Sequence, residues 1–111
     1  MDLTKEVASR FLGGQLGVEK NGTEWRGAIK KIDLLPKQVV VESDWAAVKG
    51  FDGKWRRNNE EQVFAFRYGE YGEIHVVDYG LFAFDEMFSN KIVFYLPTTN
   101  RLLRKDEVIG F

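Results

Sequence analysis

From Gly14 to the end of the chain, no apolar run keeps the three-to-four-residue spacing of a helix over a useful length. Apolar positions alternate instead, in short pieces separated by glycine, proline, asparagine or aspartate. A period of two sends successive side chains to opposite faces of an extended strand. Short alternating runs between turn residues predict about six to eight antiparallel strands in a small sandwich or barrel. Strands interleaved with amphipathic helices, the signature of a parallel α/β sheet, are not supported.

The one helical stripe comes first. Leu3, Val7 and Phe11 recur at four-residue spacing with Ala8 and Leu12 beside them, and Asp2 or Thr4 can accept from the free N–H groups of the first turn. Gly13-Gly14 then stops the helix, so residues 1–13 are expected to form it. Its polar face carries Lys5, Glu6 and Arg10, which leaves the apolar stripe to cover a sheet.

Leu16 and Val18 begin the alternation, and Asn21-Gly22 marks a two-residue hairpin because both residues tolerate positive φ. Trp25, Gly27 and Ile29 share one face of the return strand, with Arg26 and Lys30 on the other. Ile32 breaks that parity, which predicts a bulge near Lys30-Lys31, and Gly27 predicts strong curvature or close packing. A turn with Pro36 leads into a strand from Gln38 to Trp45, and Val48 to Asn59 reads as a loop. Further strands are expected at 61–68, 73–79, 81–84 and 92–96, with an irregular stretch or one helical turn at 85–91. The fold class is therefore mainly β, in one domain over residues 1–111. The N-terminal helix precedes a strongly bent antiparallel sheet (15–111) that closes into a small barrel.

Composition narrows the chemistry. The 111 residues carry 16 Lys plus Arg against 17 Asp plus Glu, and no Cys. A disulfide scaffold, a thiolate metal site and a cysteine nucleophile are thereby excluded. The basic excess lies in residues 1–57 (11 basic, 8 acidic) and the acidic excess in the rest (5 basic, 9 acidic), too mild an asymmetry to name a partner. The longest apolar stretch, Ile92 to Pro97, is far short of the roughly 20 residues a membrane span needs. Charges at Asp2, Lys5, Glu6 and Arg10 do not suit a signal peptide, so no membrane partner and a cytoplasmic location are expected. Aromatic residues reach 14%, which supplies large apolar area to a small core or to an interface.

No catalytic set emerges. His75 is the only histidine, and Glu73 or Asp78 are the carboxylates that could orient it as a base; the other reading places it on a solvated strand face. One histidine cannot hold zinc, and the acidic residues lack the loop spacing of a calcium site, so neither metal nor cofactor is expected. Gly13-Gly14-Gln15-Leu16-Gly17 follows a helix instead of opening one, which excludes a phosphate loop.

The most suggestive cluster is Lys54-Trp55-Arg56-Arg57. A ring between cations is what single-stranded nucleic acid binding uses, charge following phosphate while the ring stacks on a base. Alternatively, Trp55 begins a strand and packs inward while Lys54, Arg56 and Arg57 face solvent.

The segment Phe11-Leu12-Gly13-Gly14-Gln15-Leu16-Gly17-Val18, with Asn21-Gly22-Thr23-Glu24, Arg26-Gly27, Ile32-Asp33 and Val39-Val40-Val41, resembles the opening of Sm-like proteins over residues 3–44. Asn90 to Leu96 is loosely similar to the second motif of that family, with Phe88-Ser89 where the family has Arg-Gly. The resemblance implies an SH3-like small barrel, RNA binding and ring-shaped oligomers. The family's RNA-contacting asparagine falls at or near Lys37 here.

The expectation is a non-catalytic binding module, taking single-stranded nucleic acid (RNA) or another protein at Lys37, Lys54, Trp55, Arg56 and Arg57. Two alternatives stand beside it. One is a carrier or sensor of a small apolar ligand lined by Phe64, Phe66, Phe82, Phe84 and Phe94. The other is an oligomer-forming protein that pairs edge strands at Val39–Val41 and Ile92–Leu96.

Overall fold

The structure is a computed structural model that describes residues 2–67, 74–85 and 90–111. Helix α1 (Lys5–Ser9) precedes strands β1 (Gln15–Lys20), β2 (Thr23–Leu35), β3 (Gln38–Lys49), β4 (Trp55–Asn58) and β5 (Val63–Phe66). Then come β6 (His75–Val77), β7 (Gly80–Phe84), β8 (Lys91–Tyr95), a 3-10 turn (Lys105–Glu107) and β9 (Val108–Ile109). The predominance of strand with one short N-terminal helix is as the sequence pattern implies.

Local chemistry explains these elements. Thr4 caps α1, its hydroxyl accepting from the Val7 N–H at 3.2 Å. The helix is shorter than residues 1–13, because residues 10–12 tighten into i to i+3 turns and the Gly13 N–H turns away to the Ile29 carbonyl. Asn21 (φ 52°) and Gly22 (φ 78°) both lie in the left-handed region, the geometry of a hairpin turn whose twist matches its strands. The β2–β3 register shifts between Gly27 and Ile29 and again between Ile29 and Lys31. This is the expected bulge, and it bends β2. Gly27 sits at the start of it, where any Cβ would run into the Ser43 side chain and the Trp25 ring.

Two strand boundaries differ from expectation. Strand β3 continues through Ala46-Ala47-Val48 to Lys49, because the two alanines fit the crowded interior of the sheet although they carry little β preference. Trp55 begins β4 opposite Lys49, so only the tip of the expected 48–59 loop is a loop.

Hydrogen-bonded neighbours run β6-β7-β8-β1-β2-β3-β4-β9, with β5 on the first half of the β3 edge whose second half pairs β4. The path does not return on itself among the described residues, so the closed barrel is not supported. The proposed pairing edges are also displaced inward. Val39–Val41 lies between β2 and β5, and Lys91–Tyr95 lies between β1 and β7. Their backbone groups are already used by neighbours, which leaves nothing for a second chain to pair with.

The bent sheet wraps its inner face around Leu16, Val18, Trp25, Val41, Phe64, Phe66, Ile92 and Phe94, and Leu3, Ala8 and Phe11 from the N-terminal segment cover it. Phe66 contacts Phe64 at 6.3 Å and Phe94 at 5.9 Å, centroid to centroid. These three rings fill the core, whereas Phe82 and Phe84 lie on the opposite face of β7; the five phenylalanines therefore do not line one pocket. A smaller cluster of Trp45, Ala47, Leu103 and Val108, with Ala28 and Trp55, seals part of the outer face.

Candidate binding face

The outer face is organised around Arg26. Registers Gly17↔Arg26, Gly17↔Val93 and Gly80↔Tyr95 bring β1, β2, β7 and β8 into line. The Arg26 guanidinium lies 3.9 Å from the centre of the Tyr95 ring and 6.0 Å from that of Trp55. Tyr95 stacks on Tyr79 at 5.5 Å, and the Arg101 guanidinium covers Tyr79 at 4.1 Å. The result is a ladder, Arg101–Tyr79–Tyr95–Arg26–Trp55, in which ring faces attract the cations between and beyond them. Gly17 makes room for it: a Cβ there would stand 2.9 Å from the Tyr95 ring and 3.3 Å from the Arg26 Nε.

Gln15 fixes the ladder from below. It is 4% exposed. Its Nε2 donates to the Leu103 carbonyl at 2.6 Å, and its Oε1 accepts from the Leu103 N–H at 2.8 Å and from Arg26 Nη1 at 3.0 Å. Arg26 Nη1 also donates to the Arg101 carbonyl at 3.0 Å. One buried amide thus satisfies a guanidinium and ties the C-terminal segment to the sheet.

Beside the ladder runs a groove of about 210 Å³ lined by Gly17, Glu19, Glu24, Arg26, Tyr79, Phe82, Lys91, Val93 and Tyr95. The face continues past Phe82 to Phe84, which is 40% exposed and meets it edge-on at 5.0 Å, and to exposed His75 at 6.4 Å.

The residues singled out from sequence are not gathered into one site. Lys37 is exposed in the turn of the β2–β3 hairpin, and Lys54 to Arg57 start at the opposite end of β3. Arg56 is engaged by Asp52 in a two-pronged pair at 2.8 and 3.1 Å. That pair, with the Lys54 N–H on the same carboxylate, holds Asp52 down to about pKa 2 and raises the Arg56 pKa. Trp55 is half-buried against the outer cluster, and the Arg57 guanidinium lies on the Phe111 ring at 4.7 Å. The cluster is therefore a braced strand start, with Lys54 exposed and fully solvated Phe51 at the loop tip. His75 is exposed on β6; its candidate partner Glu73 lies outside the described residues, as do Tyr68 and residues 86–89.

Sequence reasoning missed Gln15, Arg26, Tyr79, Tyr95 and Arg101 as a group. They are spread from residue 15 to residue 101, and only strand register brings them together. The one local signal was Gly17 amid larger strand residues, which marks close approach of another group. Comparison with family models, with curated proteins and with solved structures gives no match for this chain.

Proposed function

We propose that this protein is a non-catalytic module that binds another polypeptide on the outer face of β6, β7, β8 and β1. The observation that carries the proposal is the ring-rich surface of half-buried Tyr79, Phe82, Val93 and Tyr95 and exposed Phe84, beside an arginine ladder and a shallow groove. Tyrosine, phenylalanine and arginine are enriched where proteins meet, and truncating such residues removes much of the binding energy. The groove carries both signs of charge, Arg26 and Lys91 against Glu19 and Glu24, unlike the one-signed track that phosphate requires. Neutralisation of Arg56 by Asp52 weakens the loop as a phosphate site in the same way.

Co-purification from the native cells tests the reading. Phe84→Glu and Val93→Glu should each deplete the bound partner by tenfold or more, on the order of 1.4 kcal/mol, while Lys54→Glu leaves it unchanged. Retention of the partner by both groove variants would contradict the proposal. The nucleic-acid reading would gain instead if single-stranded RNA bound with steep salt dependence and lost it in the Arg56→Ala/Arg57→Ala double variant.

A further inference from the structure

Within that docking face, and resting on the polypeptide reading, we infer that the groove receives a basic side chain of the partner, arginine above all. The cations already lining the groove are engaged internally. Arg26 is held by Gln15, the Arg101 carbonyl and the Tyr95 ring, and Lys91 sits 3.8 Å from Glu19. Glu24 is different. It lies exposed opposite Glu19, and its carboxylate makes no ion pair or side-chain hydrogen bond among the described residues. The groove therefore offers a free carboxylate next to a second, loosely paired one, and apolar walls at Val93 and Phe82. Tyr95 and Arg26 lean over Gly17 and form its other side.

An arginine suits each of these features. Its aliphatic stem can lie along Val93 and Phe82 while its planar head reaches Glu19 and Glu24. The same face already shows guanidinium groups seated on rings twice, Arg101 on Tyr79 at 4.1 Å and Arg26 on Tyr95 at 3.9 Å. A carboxylate adds a charge-assisted hydrogen bond to that attraction. A phosphate or an acidic side chain would instead meet the unpaired Glu24.

Titration with N-acetyl-arginine amide, followed by amide NMR, should shift Gly17, Glu24, Phe82 and Val93 and leave Lys37 in place. A hexa-arginine peptide should bind in the same place. Glu24→Gln should weaken it about fivefold or more, and Glu60→Gln, an exposed carboxylate outside the groove, should not. Both substitutions are on solvent-exposed positions, so folding is not at stake. Absence of shifts at the groove, or an equal loss in Glu60→Gln, would overturn the inference. So would a partner that co-purifies undiminished with Glu24→Gln while still being lost with Val93→Glu; that outcome would keep the docking face and remove its preference for a basic side chain.

Discussion

At the scale of single residues, two groups have consequences that can be measured separately. Asp52 is exposed, yet the Arg56 guanidinium and the Lys54 N–H hold its pKa at about 2 in place of 3.8. A carboxylate depressed in the folded state stabilises that state above its unfolded pKa and loses the contribution as pH falls through the folded value. The loop brace should therefore persist at pH 4 and dissolve as pH falls toward 2. Carboxyl-carbon NMR should find the Asp52 midpoint near 2, returning toward 3.8 in Arg56→Gln; a wild-type midpoint at 3.8 would contradict the pairing. Gln15 is the second group. Gln15→Ala strips partners from the Leu103 N–H, the Leu103 carbonyl and Arg26 together. It should cost about 2–4 kcal/mol in denaturant unfolding, since buried groups left without partners lose their full solvation. A loss under about 0.5 kcal/mol would mean that water replaces the amide fully.

At the scale of elements, local signals and long-range ones separate cleanly. The Asn21-Gly22 turn, the Thr4 cap and the bulge after Gly27 were legible because each depends on a few adjacent residues. Gly22→Ala should accordingly destabilise by about 1 kcal/mol, the strain of a Cβ at positive φ. Equal stability of that variant would argue against the left-handed turn. The end of β3 was not legible, because Ala46 and Ala47 are strand residues only by virtue of their neighbours: Ala46 faces the core and Ala47 lies under Trp45, Leu103 and Val108. Short α1 had a similar cause. Its stripe continues to Phe11 and Leu12, but the backbone of Gly13 and Gly14 bonds to Ile29 and draws the chain into the sheet. Phe11 still reaches the core, meeting Phe94 edge-on at 5.5 Å.

At the scale of the whole molecule, the radius of gyration of 13.2 Å is that of a close-packed chain of this length, about 13 Å. Mainly β architecture was evident from periodicity alone, but which face stays open was not. In the sequence pattern, Phe82 and Phe84 group with Phe64, Phe66 and Phe94 around one apolar pocket. Their partner strand places them outward, with Val93 and Lys91, next to a ladder assembled from distant segments. Lys54 to Arg57 are adjacent in sequence, whereas the rings and cations of this face become adjacent only through strand register. The interior positions of Val39–Val41 and Ile92–Leu96 also predict that no homomeric ring forms through those strands; native mass spectrometry showing a ring that Val40→Pro alone dissolves, without unfolding the chain, would contradict this. The proposed docking face puts the partner polypeptide against the outer side of β1 and β6 to β8. Its most direct test is a photo-crosslinking residue, p-benzoylphenylalanine, placed at Val93 and, in a separate variant, at Lys37, each expressed in the native cells. A partner docked on this face gives a discrete heavier protein adduct from position 93 and none from position 37. Adducts at position 37 alone, or RNA as the species captured at position 93, would contradict it.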